Sequence, residues 1–221
     1  MTTTRRTTRL TLVACLAAAA AATSFSFAPA GAQDAGQKAD AGAPQVFLDK
    51  PAKVVAYQLK RLTNAQLVAI QRNADEPKYK PVYEAILVRK GLERKYREEA
   101  VAALAKLNGS DPVLEILSGV GNVEKDDAAT LAELAGLLMA QKPEALTAQR
   151  DKVEPLAAQS QSAAVKQAAY AALAVADGGP DKAWQLASAA GPEGLRALLL
   201  GLAIIPDPAL RQAFYPLVQP L

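Results

Sequence analysis

Alanine-rich segments with the spacing of an amphipathic helix recur along this chain, and two of them match each other. The block AVAALAKLNGSDPVLEILS, residues 100–118, aligns with AYAALAVADGGPDKAWQLAS, residues 169–188, when one inserted residue is allowed. Each block predicts a helix of small apolar residues, then a turn that contains glycine, and then a second, amphipathic helix. Weaker copies occur at residues 131–149 and 195–214. A helix pair that recurs every ~30–40 residues predicts a stack of helical repeats.

The boundaries of the helices are marked by recognisable capping chemistry. The starts are a capping box at TNAQ (63–66), Asp-Pro at 111–112 and 207–208, and Pro-Glu at 143–144 and 192–193. The ends are turns at NGS (108–110) and DGG (177–179), where glycine supplies a left-handed residue. No β-hairpin signal or run of alternating β-branched residues competes with this pattern. The sequence therefore predicts an all-α chain of about ten short helices.

The repeat period and the alanine-rich texture resemble HEAT-like repeats over residues 52–221. TPR repeats, with their own patterned unit, are the near alternative. The resemblance implies a right-handed α-solenoid of HEAT-like helix pairs, in which alanines allow helices to approach closely and leucines fill the space between them. Because one helix pair cannot bury its own apolar face, such pairs must stack.

The first 32 residues have the order of a secretory signal peptide. Arg5, Arg6 and Arg9 form a basic region, an apolar run extends from Leu10 to about Ala28, and Ala30-Gly31-Ala32 provides small residues for cleavage. We therefore expect an exported protein of the periplasm, cell envelope or extracellular space. After cleavage we expect no stable membrane insertion.

Two other interpretations of this leader remain open, and a linker follows it. LVAC (12–15) resembles a lipobox that would place a lipid on Cys15, although the apolar run before it is short. The arginine pair in TRRTTR leaves export by the Tat rather than the Sec route open. Residues 33–51, which include QDAGQKADAGAPQ, are small and polar, and we interpret them as a flexible linker.

Removal of the leader abolishes the net positive charge. The full chain has 25 basic and 22 acidic residues, and three of the arginines lie in the leader, which leaves 22 of each sign. Residues 33–125 carry a net charge of +3 and residues 126–221 one of −3. A neutral mature chain does not predict binding to nucleic acid, although its polarity suits an oriented partner.

The composition excludes most catalytic and metal chemistry. The chain has no histidine, and its one cysteine lies in the leader. The remaining residues therefore cannot form the usual zinc, blue-copper, iron–sulfur or haem c sites, or Ser–His and Cys–His nucleophile pairs. The acidic residues mostly mark helix starts, and no pair of them stands out as an acid–base pair. We therefore expect that the chain binds no cofactor and is not an enzyme.

One stretch, ILVRKGLERKYREEA (86–100), is rich in basic and aromatic residues and is the candidate binding surface. Six residues of this stretch are candidates for partner binding, together with one tyrosine just upstream and the single tryptophan of the chain. The eight candidates are Arg89, Lys90, Arg94, Lys95, Arg97, Tyr83, Tyr96 and Trp184. Glu93 and Arg97 are spaced as an i,i+4 pair, which favours an exposed face between two helices. A surface for an acidic protein or polysaccharide is the second interpretation. Packing between helices is the first interpretation of Trp184, and a binding hot spot is the second.

These observations favour an exported binding or scaffold module whose partner is a protein, or a further domain of the same polypeptide. The segment KPVYEAILVRKGLERKYREEAVAALAKLNGSDPV also resembles the repeat region of large secreted proteins of the planctomycete type, in which HEAT-like repeats adjoin a haem c or blue-copper domain. That resemblance implies an alternative function as the accessory region of an electron-transfer protein. The ligands of such a cofactor are not in this chain, so no cofactor residue carries over.

Overall fold

The computed structural model describes residues 45–220, which form helices and connecting turns without a strand in that range. The predicted all-α class is confirmed for this part of the chain. The signal peptide predicted for residues 1–32 and the linker up to residue 44 lie outside it.

The helices are α1 (Ala52–Arg61), α2 (Asn64–Ala69), α3 (Lys80–Val88), α4 (Arg94–Asn108), α5 (Pro112–Asn122), α6 (Ala128–Met139), α7 (Pro143–Ala148), α8 (Arg150–Gln159), α9 (Ala163–Asp177), α10 (Asp181–Ala189), α11 (Pro192–Gly201), α12 (Pro208–Ala213) and α13 (Tyr215–Val218). Single 3₁₀ turns at Pro77–Tyr79 and Leu202–Ile204 precede α3 and follow α11.

The described part of the predicted linker, residues 45–51, lies against the helices. Val46 and Leu48 pack on the hydrophobic core, and the backbone N–H of Phe47 donates to Oε1 of Gln58 at 2.9 Å. These contacts hold the chain beside α1 before the helix begins.

The capping residues that were read from the sequence occupy the predicted positions. Thr63 and Gln66 form the reciprocal capping box at the start of α2. Asp111 and Asp207 accept hydrogen bonds from the second N–H groups of α5 and α12, at 2.9 and 2.8 Å. Local side-chain chemistry therefore fixes these helix starts without help from distant parts of the chain.

The two matching sequence blocks take the same local structure. Helices α4 and α9 have 15 residues each, and each is closed by a glycine in the left-handed conformation, Gly109 with φ +59° and Gly178 with φ +64°. A proline then stands at the opening of the next helix, Pro112 at the first turn of α5 and Pro180 at the N-cap of α10.

Helices α1, α3 and α5 end side by side. The guanidinium of Arg89, just past α3, donates to the carbonyl oxygen of Leu59 in α1 at 2.5 Å and to that of Lys60 at 3.4 Å. The ammonium of Lys60 reaches Glu124, just past α5, at 3.1 Å. Short turns join α3 to α4 and α4 to α5, so α4 returns the chain in the opposite direction, and it packs on both neighbours.

Helix α9 is the centre of the second half of the chain. Eight of its residues, including the continuous run 168–174, are buried, and it contacts α5, α6, α7, α8, α10 and α11. A helix that is apolar all round is one that is enclosed by others. In a regular solenoid a helix touches only its nearest neighbours, and the enclosure of α9 departs from that arrangement.

Glycine at the end of α11 allows close contact with α9. A Cβ atom on Gly201 would lie 2.6 Å from the carbonyl oxygen of Gln167, which belongs to the α9 backbone and cannot move aside. Gly136 in α6 is the natural comparison, because a Cβ atom there would meet nothing within 4 Å.

We expect Gly201→Ala to lower the free energy of unfolding by about 1–3 kcal/mol, because the added methyl group forces α11 away from α9. Gly136→Ala should raise it by about 0.5–1 kcal/mol, since alanine loses less conformational freedom in a helix. Urea denaturation followed by circular dichroism measures both changes. A Gly201→Ala protein that is as stable as wild type would show that α9 and α11 are not in close contact.

Candidate partner-binding groove

A groove with a volume of about 790 Å³ lies between α1, α3 and α5. Its apolar lining comes from Leu59, Ala85, Leu87, Val88 and Leu104. Small residues, Ala52, Ala56 and Gly119, line it as well and leave room for an occupant. A cleft of this size with an apolar floor and a few polar groups is typical of a binding site.

The end of the groove where the three helices terminate contains both signs of charge. We call it the C-terminal end, and its charged residues are Lys60, Arg89, Lys90, Glu124 and Asp127. Arg89 caps the carbonyls of α1, and Lys60 pairs with Glu124. The charges at this end are therefore largely matched within the chain.

Asp127 at this end is the N-cap of α6. Its carboxylate accepts hydrogen bonds from Oγ1 of Thr130 at 2.6 Å and from the Thr130 backbone N–H at 3.1 Å. These two bonds hold the pKa of Asp127 below its ordinary value, and the charges of Lys90 and Arg97 lower it further against the desolvation of the carboxyl. Asp127 is thereby kept ionised at the start of the helix.

The opposite, N-terminal end of the groove contains two carboxylates. We define it by Lys80, Glu84, Asn108 and Glu115. Glu115 is only 8% exposed, and its Oε1 accepts hydrogen bonds from Nδ2 of Asn108, at 2.9 Å, and from the hydroxyl of Ser110. Within residues 45–220 no group donates to its Oε2, and no basic side chain forms an ion pair with it.

Glu84 stands beside Glu115 on the groove wall. Desolvation raises the pKa of the Glu84 carboxyl; the positive charge of Lys80, 4.0 Å away, lowers it, and the negative charge of Glu115 raises it. The Glu84 side chain is 54% exposed, so it remains open to an occupant of the groove.

The structure divides the eight residues that the sequence singled out among several places. Arg89 and Lys90 lie at the C-terminal end of the groove. Arg94 pairs with Glu98 at 2.8 Å, and Lys95 pairs with Glu93 at 2.7 Å while its ammonium lies 4.8 Å from the centre of the Tyr96 ring. Arg94, Lys95 and Tyr96 do not line the groove. Their local ion pairs are those of an exposed helix face.

Trp184 lies apart from this stretch, on α10. It is half-buried against the core, and α10 packs on α8, α9 and α11. Packing, the first interpretation of this residue, agrees with its position.

Two of the eight candidates, Arg97 and Tyr83, are in the interior and are not accessible to a partner. Tyr83 is 3% exposed. Arg97 is 1% exposed and does not pair with Glu93, so the i,i+4 pair expected from the spacing is absent. Its guanidinium instead donates to the carbonyl oxygens of Leu87 and Arg89, the latter at 2.7 Å, and lies 3.5 Å from Oγ1 of Thr130. Arg97 therefore binds the carbonyl oxygens at the end of α3 and lies beside the start of α6.

The two carboxylates at the N-terminal end were not found from the sequence. Glu84 appears there as part of an ordinary i,i+4 pair with Lys80, and Glu115 as an acidic residue in the first turn of a helix. No sequence signal distinguishes these residues from exposed charges, because their proximity depends on α3 and α5 lying side by side.

Comparisons with known proteins return nothing for this chain: no family model, no curated protein and no solved structure matches it. Among the described residues, histidine, cysteine, aspartate and glutamate side chains form no group of three or more that could hold a metal ion. None of the helices in residues 45–220 has the length and apolar character needed to cross a bilayer.

Replacement of the buried arginine should be costly. In Arg97→Met the side chain keeps its bulk, but two carbonyl oxygens at the end of α3 lose their donor, so we expect a loss of about 2–4 kcal/mol in the free energy of unfolding. Arg94→Met, three residues earlier on the exposed face of the same helix, should change it by less than about 0.5 kcal/mol. Chemical denaturation of both variants measures the contrast, and equal effects would mean that Arg97 is not buried.

Proposed function

We propose that this chain is an exported, HEAT-like α-solenoid module that binds a protein partner in the groove between α1, α3 and α5 and has no catalytic site of its own. The observation that carries the proposal is the groove itself, which has an apolar floor, small residues in its walls and charges at both ends. These features suit a segment of a partner that presents apolar side chains flanked by polar ones.

A right-handed solenoid of HEAT-like pairs is the arrangement that we infer for the stacked helices, with the enclosure of α9 by six other helices as an irregularity within it. The side-by-side ends of α1, α3 and α5 support it, since alternate helices of stacked hairpins are parallel. The repeated geometry of α4 with α5 and of α9 with α10 supports it as well. In such an array the alternate helices form one face, and the groove lies on that face.

A protein partner fits this surface better than nucleic acid. A phosphate backbone is recognised by a row of unpaired basic residues. In the groove, Lys60 has a carboxylate at 3.1 Å and Arg89 is occupied by backbone carbonyls; outside it, Arg94 and Lys95 pair with carboxylates at 2.8 and 2.7 Å. The groove therefore offers few free cations to phosphate.

A photo-crosslinking amino acid tests this proposal in the cell. Placed at Ser118, an exposed groove residue on α5, it should give a discrete adduct upon irradiation, because a bound partner lies within reach. Placed at Ala132, an exposed position of α6 that does not line the groove, it should give none. Mass spectrometry of the adduct identifies the partner. Equal adducts at both positions, or an adduct at Ala132 alone, would contradict a groove-bound partner.

Export and size separate this function from its alternative. We expect the native protein from the cell envelope to be colourless, to have a mass of about 20 kDa and to begin at Gln33, since signal peptidase cleaves after small residues. Intact-mass and visible absorption measurements check this. A much larger, coloured species would indicate the accessory repeat region of a secreted haem c or blue-copper protein instead.

A further inference from the structure

Glu115 is a buried carboxylate, and no basic side chain in residues 45–220 forms an ion pair with it. Arg97 donates to helix-end carbonyl oxygens, and the negative charges of Glu133 and Asp127 act on it; Asp127 and Thr130 cap α6 together. Glu115 receives hydrogen bonds only from the neutral groups of Asn108 and Ser110. Buried carboxylates are normally paired with a cation, because removal of an ionised group from water is expensive.

The hydrogen bonds of Glu115 involve only one of its two carboxylate oxygens. Both donors, Asn108 and Ser110, bind Oε1, and they connect the turn that ends α4 to the first turn of α5. They also fix the orientation of the carboxylate. Oε2 is not used by any residue in the range 45–220, and Glu115 lines the groove. The result is an oriented acceptor that faces the open groove and receives no donor from the described residues.

We propose that Glu115 and the neighbouring Glu84 bind the cationic head of an arginine or lysine side chain that the partner inserts at the N-terminal end of the groove. This inference rests on the proposed function and names the chemistry of the partner. Lys80 is the one basic residue lining this end, and its ammonium is 4.0 Å from Glu84, so a negative charge remains there. An inserted cation would balance that charge.

The shape of the groove suits a long basic side chain. Ala85 lies one position after Glu84 on α3, and it contributes with Leu87 and Leu104 to the apolar lining. The methylene groups of arginine or lysine can pack on such a floor while the charged head reaches the carboxylates. Arginine is favoured over lysine, because its planar guanidinium can donate to two carboxylates at once.

The test uses two blocked tripeptide amides that differ in charge alone. Acetyl-leucyl-arginyl-leucine amide carries the guanidinium, and the same peptide with citrulline in place of arginine is a neutral analogue of similar shape. We expect the full mature protein to bind the arginine peptide about tenfold or more tightly than the citrulline peptide, as titrated by NMR. In Glu115→Gln, whose amide oxygen can still accept from Asn108 and Ser110, the preference should disappear.

Control variants separate charge from folding. Glu144→Gln removes an exposed carboxylate of α7 that does not line the groove, and it should leave the preference for arginine intact. If Glu115→Gln unfolds, Glu84→Gln takes its place, and a preference reduced several-fold there supports the inference. Equal binding of the two peptides by wild type, an unchanged preference in both glutamine variants of the N-terminal end, or no binding of the arginine peptide at millimolar concentration overturns it.

The crosslinking experiment separates this inference from the proposed function. If Ser118 gives no partner adduct in the wild type, the groove is not the binding site, and the proposed function is wrong. If the Ser118 adduct forms as strongly in Glu115→Gln as in wild type and the peptides show no preference, the partner binds by other contacts. In that case the inference about the cation alone is overturned.

Discussion

The buried guanidinium of Arg97 is the polar contact that links α3, α4 and α6. From α4 it donates to two carbonyl oxygens at the end of α3, and it reaches Thr130 at the start of α6. Burial lowers the pKa of Arg97, while the negative charges of Glu133 and Asp127 oppose this effect. A buried guanidinium is stable only when most of its donors are occupied, so this residue holds three helices in one relative position.

The groove follows from that arrangement. Arg97 of α4 holds the end of α3, the next residue Arg89 extends to the end of α1, and the ends of α1, α3 and α5 come together. Gly119 on α5 assists, since a Cβ atom there would lie 2.8 Å from the Leu87 side chain. The close approach of α5 to α3 brings Glu115 beside Glu84.

Alanine contributes more to the buried surface of the second half of the chain than to that of the first. Arginine donors on helix-end carbonyl oxygens occur in both halves, at Arg89 and Arg97 in the first and at Arg211 in the second. The second half uses alanine, which allows α8 and α11 to pack closely on α9. Its main polar contact is Arg150, which binds Asp177 at the end of α9 at 3.0 Å and also Glu154.

The sequence by itself determined the all-α class, the helix starts at Thr63, Asp111 and Asp207, and the glycine turns after α4 and α9. Each of these depends on hydrogen bonds and backbone geometry within a few residues, and the sequence displays such interactions directly. Only the tertiary structure decided which charges are exposed. Arg94 and Arg97 stand in one charged run, yet Arg94 faces solvent and Arg97 is buried, because the latter meets Thr130, 33 residues further along. The proximity of Glu84 to Glu115 was decided in the same way, since it depends on the packing of α3 against α5, which are separated in the chain by α4.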